Sequence, residues 1–199
     1  MRFDASPLAH DLEFFPQPGG PQIPPAGAGH TGTGLSLDGI DDHARTAGPV
    51  VYTDQSFTVS AWVFLPGNVT GNRTAISQHG NSESGFFLKY EATDGRWYFL
   101  YGDMDGTPGT GVFAGSSGPA AKGTWVHLVG VHDAQRGQIT LYVNGVAQTT
   151  VGVLNPWNAT GPVNIGRVLW RGGMFEHWVG SIDEVRIYQG AVTNIGSIS

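Results

Sequence analysis

Hydrophobic and polar residues alternate with a period of two along several short segments of the chain. In residues 56–65 one parity is entirely apolar and consists of Phe57, Val59, Ala61, Val63 and Leu65. The opposite parity is mixed and consists of Thr58, Ser60, Trp62 and Phe64. Successive side chains of a strand point to opposite faces, so this pattern predicts a strand with its apolar parity in a core. No segment carries a sustained apolar stripe of helical period.

Turn dipeptides separate further strand-like segments. Asp94-Gly95 lies between "SGFFLKYEA" and "RWYFLYG", and Asn144-Gly145 lies inside "QITLYVNGVAQ". Both dipeptides favour tight turns that join antiparallel strands, so each predicts a β-hairpin. Many short strands joined by such turns are typical of an all-β sandwich or barrel.

Composition supports this fold class and excludes some functions. The chain has 199 residues, of which 31 are Gly and only 13% are charged, which favours turns and strands over helices. A net charge of −6 without a basic run argues against nucleic acid as a partner. No stretch of apolar residues is long enough to predict membrane insertion.

The absence of cysteine and of a leader pattern bears on the location of the protein. With no Cys in the chain, disulfides, thiolate zinc sites and a cysteine nucleophile are excluded. The first ten residues show no charged segment followed by an apolar one, so no signal peptide is predicted. We interpret the chain as a module of a longer secreted or surface protein.

Five segments taken together resemble one known family. They are "LSLDGIDDH", "QSFTVSAWV", "GTWVHLVGVHD", "ITLYVNGV" and "GSIDEVRIYQGAVT". In this order they are similar to the laminin-G-like, concanavalin A-like jelly-roll domains, most of all to those of actinobacterial secreted multidomain proteins. The resemblance implies a two-sheet antiparallel jelly-roll sandwich, a usually non-catalytic role in recognising glycans or proteins, and a calcium ion at the edge of the sandwich.

The resemblance also suggests how the chain is organised. The laminin-G-like jelly-roll domain is expected over residues 34–193, followed by a C-terminal tail at 194–199. Residues 1–33 are expected to belong to the same domain and to hold an edge strand at "LEFF". The segment 16–33 is rich in Pro and Gly and predicts an irregular surface connection.

Aromatic residues supply the candidate ligand site. In "RWYFLYG", Trp97, Phe99 and Tyr101 share one parity and Leu100 has the other. If Leu100 marks the core face, the three rings line the outer surface of the sheet. Rings on a surface suit sugars, which present flat C–H faces.

A second aromatic group occurs in "VLWRGGMFEHW", near the end of the domain. Its candidate ligand-binding residues are Trp170, Arg171, Phe175 and Trp178. The rings could form a sugar platform, or they could pack over the sheet as a satellite of the core, and the sequence leaves both interpretations open. Trp62 and Trp125, inside regular strands, are expected in the core.

A calcium site is expected from the acidic residues of "SLDGIDDH" and "GSIDEVRIY". Asp183 shares a parity with Val185 and Ile187, so a strand would place it at the start of an apolar face, where a carboxylate needs a compensating cation. In the family that the sequence resembles, the first core strand lies close to the last. That proximity would bring Asp38 and the Gly39 carbonyl to Asp183.

The ligands of this expected site are all oxygens, which suit Ca²⁺. Asp41 or Asp42 could complete the shell, although a strand would point them to opposite faces. In the alternative interpretation Asp41 and Asp42 shape a solvated turn, while Asp183 pairs with Arg45 or Arg186.

The sequence gives little support for catalysis. Concanavalin-like glycosidases carry Glu-x-Asp-x-x-Glu on one strand, whereas Asp183 and Glu184 are adjacent and Ser181 replaces the first Glu. No Gly-x-Ser-x-Gly nucleophile elbow occurs. We therefore expect a calcium-stabilised, non-catalytic recognition module that binds a glycan or polysaccharide. A structural or adhesion domain that binds a protein surface is the first alternative, and a glycosidase is the second.

Overall fold

The computed structural model describes residues 11–15, 26–106 and 111–198, and within them nearly all regular structure is strand. The strands, in chain order, are β1 Leu12–Phe15, β2 Ala26–Ala28, β3 Thr33–Asp38, β4 His43–Thr46, β5 Phe57–Phe64, β6 Arg73–His79, β7 Ser84–Glu91, β8 Arg96–Gly102, β9 Gly111–Gly115, β10 Trp125–Asp133, β11 Gln138–Val143, β12 Val146–Gly152, β13 Val163–Ile165, β14 Val168–Trp170, β15 Gly173–Phe175 and β16 Val179–Gln189. The only helix in these residues is a 3-10 turn at Ile195–Ser197, so none is suited to spanning a membrane.

The strands form two seven-stranded sheets and one small hairpin. The first sheet has the order β1-β4-β13-β6-β7-β8-β9, and the second has the order β12-β11-β10-β5-β16-β3-β2. The pairings within both sheets are antiparallel. The hairpin β14–β15 forms a separate two-stranded sheet, and its strands do not pair with those of the two larger sheets. This architecture confirms the jelly-roll sandwich expected from the sequence.

The second sheet contributes its predicted apolar parity to the core. The side chains of Phe57, Val59, Ala61 and Val63 in β5 are fully buried between the sheets. Trp62 belongs to the other parity and lies partly exposed on the outer face, and Trp125 in β10 is partly exposed as well. The expectation that both tryptophans are in the core is therefore wrong, because strand alternation outweighs the hydrophobicity of a single residue.

In β8 of the first sheet, the side chains that were expected on the outer surface face the core. Trp97, Phe99 and Tyr101 are buried in the core, so the placement of these three candidate ligand-binding rings on the outer face is wrong. Leu100 points outward and is nevertheless buried, because the small hairpin covers it. Since both faces of β8 are covered, an apolar residue on one parity could not identify the core face.

Both predicted hairpins are present. Asn144 and Gly145 form a two-residue turn with φ of 49° and 77°. A type I′ hairpin turn requires such left-handed values at both central residues. Gly95, with φ of 72°, ends the turn between β7 and β8, and its amide donates to the carbonyl of Glu91.

The chain ends add to both sheets. β1 and β2 are edge strands of the first and second sheets, respectively. The segment 16–33 was predicted to be an irregular connection, but residues 26–28 form strand β2. Residues 16–25 of this segment lie outside the described residues. Ile195 and Ile198 are buried against Val129 and Val131 on the outer face of the second sheet.

Candidate functional site

A groove lies between the small hairpin and the outer face of the first sheet. Its volume is about 690 Å³, and it is lined by Gly71, Asn72, Arg73, Ala92, Thr93, Trp170, Met174, Phe175, Glu176 and His177. Arg171 and Gly172 form the hairpin turn, with φ of 51° and 74°. The amide of Arg171 donates to the Glu83 carboxylate at 2.9 Å, which ties the turn to the loop before β7.

The aromatic residues of the hairpin divide between packing and exposure. Trp170 meets Phe87 edge to face, with ring centroids 6.3 Å apart, and belongs to a small cluster with Leu100 and Val168. Phe175 is 50% exposed at the wall of the groove. Trp170 therefore packs in a small apolar cluster outside the main core and also lines the groove. Phe175 is the solvent-exposed aromatic ring of the hairpin.

The floor of the groove is formed by Asn72 and Glu176, which belong to a hydrogen-bonded polar network with the buried residues Thr74 and Lys89. The Glu176 carboxylate accepts from the Thr74 hydroxyl at 2.6 Å, from the Lys89 ammonium at 2.7 Å and from the Asn72 amide at 3.2 Å. Lys89, almost fully buried, also lies 3.0 Å from the carboxylate of Glu91. One ammonium thus serves two carboxylates, which gives this network a net charge of −1 and many hydroxyl-compatible donors and acceptors.

The protonation of Glu91 follows from its partners. Partial burial tends to raise the pKa of Glu91, but hydrogen bonds and the charge from Lys89, together with hydrogen bonds from Thr93, outweigh burial and lower it. The carboxyl group is therefore ionised near neutral pH. The network suits recognition of hydroxyl groups, and the lowered pKa is the opposite of what a general acid needs.

A separate group of carboxylates lies in the turn between β3 and β4. Oxygens of Asp38, Asp41 and Asp42 lie within 4.8 Å of one another. Asp38 accepts from the amide of Ile40 at 2.8 Å, and Gly39, with φ of 83°, allows the tight turn. The Oδ1 atom of Asp41 is buried and makes no hydrogen bond within the described residues.

The comparisons with known proteins agree with this architecture. The family model Laminin_G_3, described as the concanavalin A-like lectin/glucanases superfamily, matches residues 38–194. The chain belongs to this family. A search of curated protein sequences finds no significant match.

Three solved structures show the same fold as this concanavalin A-like domain. Domain 4 of AbnA, a GH43 extracellular arabinanase from Geobacillus stearothermophilus, in complex with arabinotriose, is 24% identical with a TM-score of 0.66, and 85% of this chain and 77% of that chain are covered. A SAP-like pentraxin from Limulus polyphemus is 17% identical with a TM-score of 0.62 and coverage of 82% and 78%. The CBM40 domain of a Ruminococcus gnavus IT-sialidase, bound to α2,3-sialyllactose, is 14% identical with a TM-score of 0.60 and coverage of 72% and 80%.

The concanavalin A-like domain does not use Trp178 in the groove. This side chain is fully buried and stacks on Trp97 in the core. Its predicted role in ligand binding is therefore contradicted, although the residues next to it in the hairpin line the groove. Nothing in the sequence indicates the positive φ of 54° that Glu176 adopts two residues before Trp178.

Asp183 lies far from the acidic turn, contrary to the expected calcium shell. In the register of β3 and β16, Asp38 pairs with Val179, four residues before Asp183 and about 13 Å away along the strand. A bulge between Asp183 and Arg186 places Asp183 on the outer face, opposite Trp62, and not on the parity of Ile187.

The carboxylate of Asp183 has its own partners. It accepts from the amides of Thr31 at 3.0 Å and Glu184 at 2.8 Å. The predicted alternative pairings of Asp183 are also wrong, since Arg186 pairs with Glu184 and Arg45 pairs with Glu13.

Asp41 and Asp42 are closer together than a strand would allow. β3 ends at Asp38 and β4 begins at His43, so the intervening residues form a turn and both carboxylates can reach the same point. The expectation that a strand would point the two carboxylates to opposite faces is therefore wrong. The expected proximity of Asp41 to Asp38 is confirmed.

Sequence reasoning missed the polar floor of the groove. Asn72 and Thr74 occur in "GNRT", a turn followed by a strand, and Lys89 alternates with apolar residues in β7. A lysine between two bulky apolar neighbours is the one signal that could have indicated a partnered, buried charge.

Proposed function

We propose that this concanavalin A-like domain is a non-catalytic carbohydrate-binding module of a secreted or surface protein, and that its glycan binds in the groove beside the small hairpin. The observation that carries the proposal is the pairing of an exposed ring, Phe175, with the hydrogen-bonded floor around Glu176. A ring binds the C–H face of a sugar, while carboxylate, amide and hydroxyl groups bind its hydroxyls.

The size and charge of the groove support this ligand class. Its volume falls within the range of small-molecule sites and is sufficient for a short oligosaccharide. The charges of Glu91 and Glu176 are offset by those of Lys89 and of Arg73, which lines the groove, so these four residues present no net charge to a ligand. A neutral glycan is the substrate class that the groove favours.

Two of the structural neighbours hold an oligosaccharide. The arabinanase domain holds arabinotriose, and the CBM40 domain holds α2,3-sialyllactose. The groove described here is closer in chemistry to a neutral ligand such as the first. Both neighbours are separate domains of larger enzymes, which supports a non-catalytic role for this chain.

We include calcium in the proposed function, held at the turn between β3 and β4. The donor set fits the ion, because Asp38, Asp41 and Asp42 offer carboxylate oxygens only, and one oxygen of Asp41 is buried without a hydrogen bond. The Gly39 carbonyl lies in the same turn. Bound calcium would offset two of the three carboxylate charges and stiffen the turn.

A glycan array probed with the purified protein tests the proposal. We expect binding to neutral oligosaccharides, arabinan fragments included, and loss of that binding in Phe175→Ala. Parallel arrays in calcium and in chelator separate the ion's role from that of the groove. If the wild-type protein binds no glycan under either condition, the carbohydrate function is wrong and the protein-binding alternative takes its place.

A further inference from the structure

Two arginine side chains, Arg45 and Arg167, lie close together on the outer face of the first sheet, where β4 and β13 pair. Asn164 is directly opposite Arg45 in that pairing, and its Oδ1 atom accepts from the Nε atom of Arg167 at 2.9 Å. Since the neighbouring Ala44 and Ile165 face the core, Arg45 and Asn164 point away from it. We call Arg45 and Arg167 the arginine pair.

The Arg167 residue is fixed at its backbone and at Nε, while the tip of its side chain is open. Its carbonyl accepts from the Ser77 hydroxyl at 2.8 Å, and its Nε atom is bonded to Asn164. The two Nη atoms make no hydrogen bond within the described residues, and the side chain is partly exposed. The N–H groups on these two atoms are therefore available to a ligand.

The charge of Arg167 has no counter-ion within the part of the chain that the structure describes. No carboxylate there lies within ion-pair distance of its guanidinium. Burial first, and then the positive charge of Arg45, lower the pKa of Arg167 to about 10, so the group is still protonated at neutral pH. A partly buried charge without a partner is costly, which makes it a sign of an anionic ligand.

Arg45 is held by an aromatic ring and is only weakly neutralised. Its Cζ atom lies 4.5 Å from the ring centroid of Phe15, and Phe15 in turn stacks on His43. Its Nη2 atom lies 3.6 Å from a carboxylate oxygen of Glu13, and the two side chains are 41% and 60% exposed. An exposed ion pair of this length is weak, so a ligand can replace it.

The other ionisable groups around the arginine pair leave a net positive charge. Burial, more than any other effect, lowers the pKa of His43 to about 4, so this ring is neutral at pH 7. Arg45, Arg167 and Glu13 together then carry a charge of +1. This value matches a ligand group with a single negative charge.

The arginine pair lies beside the hairpin groove. His177 lines the groove, and burial, followed by the charge of Arg167, lowers its pKa. The charges of Asp38 and Asp41 act on His177 in the opposite sense, whereas the charges that act on Arg167 include no carboxylate of the described residues. The acidic turn therefore does not serve as the counter-ion of Arg167.

We infer that the arginine pair is an oxyanion site, which takes the carboxylate of an acidic sugar unit such as a uronic acid. A planar carboxylate fits the fork of a guanidinium, so its two oxygens accept from the two Nη atoms of Arg167 while Arg45 supplies the second charge. The sugar as the source of the carboxylate rests on the proposed function, because the groove is the neighbouring site. The recognition of the carboxylate does not depend on what the groove binds.

Nuclear magnetic resonance of the full chain, labelled with ¹⁵N, tests this inference. The signals to follow are the Nε group of Arg167 and the backbone amides of Asn164 and Ile165. The probes are methyl β-D-glucopyranosiduronate and methyl β-D-glucopyranoside, which differ in the carboxylate, each titrated into the millimolar range. We expect the glucuronide to shift these signals in a saturable manner that weakens as sodium chloride is added, and the glucoside to leave them unchanged.

Matched variants distinguish the site from a general effect of charge. Arg167→Gln and Arg45→Gln should each weaken glucuronide binding at least about tenfold, measured on the backbone amides. Arg96→Gln removes the same charge from β8 of the same sheet, at a side chain that is 44% exposed, and should bind as the wild type does. Phe175→Ala should also bind as the wild type does, so a groove that takes no glycan would leave this result intact.

Three results would overturn the inference. The first is an Arg167 Nε signal that the glucuronide does not move, or that the glucoside moves equally. The second is an equal loss of affinity in Arg96→Gln and in the two variants of the arginine pair, of which Arg45→Gln alone decides if Arg167→Gln does not fold. The third comes from sodium sulfate as a further probe, because sulfate that binds at least about tenfold more tightly than the glucuronide would assign the site to sulfate esters instead.

Discussion

The indole rings of Trp97 and Trp178 stack with centroids 6.3 Å apart and an interplanar angle of 21°. Trp97 comes from β8, and Trp178 comes from the segment that follows the small hairpin. Because both rings are buried, this contact fixes the end of the hairpin segment to the core. The amide of Trp178 reinforces it by donating to the Gly166 carbonyl at 2.8 Å.

Trp178→Ala should lower the free energy of unfolding by about 3–5 kcal/mol, as expected when a fully buried aromatic ring is replaced by a methyl group. Urea denaturation monitored by far-ultraviolet circular dichroism measures the loss. The control is Leu154→Ala, a change at a side chain that is 86% exposed, which should have little effect on stability. A loss below about 1 kcal/mol in Trp178→Ala would contradict its core position.

Phe175→Ala should weaken glycan binding by about 1–3 kcal/mol and leave the stability of the fold nearly unchanged, because this ring is half exposed. Isothermal titration with the best oligosaccharide from the array gives the affinity. Leu154→Ala again serves as the control, since Leu154 is exposed but does not line the groove. Equal affinities of the two variants would show that the glycan binds elsewhere.

Millimolar calcium should raise the melting temperature of the wild type, because an ion that binds only the folded state stabilises it by mass action. Asp41→Asn should abolish the rise, since it removes the carboxylate whose buried oxygen makes no hydrogen bond within the described residues. Asp183→Asn should keep the rise, because Asp183 is bonded to backbone amides away from the acidic turn. Differential scanning calorimetry in calcium and in chelator distinguishes the three proteins, and a melting temperature indifferent to calcium would refute the site.

Stability should fall as the pH drops below about 6.5, in part because of His79. The ring is buried and neutral, with Nδ1 accepting from the Asn164 amide at 3.2 Å and Nε2 donating to the Ser77 hydroxyl at 3.1 Å. Burial first, then the charges of Arg167, His43 and Arg45, lower the pKa of His79 to about 3.

The sign follows from the two pKa values. Between pH 6.5 and 3 the unfolded chain carries the His79 proton and the folded chain does not, so acid favours unfolding, with a slope of up to about 1.4 kcal/mol per pH unit. Urea denaturation from pH 7 to pH 4 should therefore show a shallower decline in His79→Gln than in the wild type. Identical slopes for the two proteins would show that His79 does not contribute.

The parts of the fold that depend on local rules were predictable from the sequence. The alternation of β5 and the Asn144-Gly145 turn involve neighbouring residues only, and both were correctly predicted. The orientation of β8 was not, because its outer face is covered by a hairpin distant in sequence and both parities are therefore apolar. Alternation alone does not tell which of two buried faces lies between the sheets.

The candidate site was predictable to a similar extent. The grouping of Asp38 and Asp41 arises within one short turn and was expected. Asp183 was misplaced because the bulge at Glu184, with φ of 50°, shifts the parity of β16, and a single glutamate gives no sequence signal for it. Trp178 was misplaced because the positive φ at Glu176 redirects the chain just before it.

The edge strands at the beginning of the chain have a consequence for self-association. β1 closes the β4 side of the first sheet, and β2 and β3 close the β16 side of the second, although the family match begins only at residue 38. A fragment starting there would expose unpaired amides and carbonyls along both β4 and β16. Open strand edges pair readily with those of other molecules, so the fragment should form oligomers or fibres where the longer chain stays dispersed.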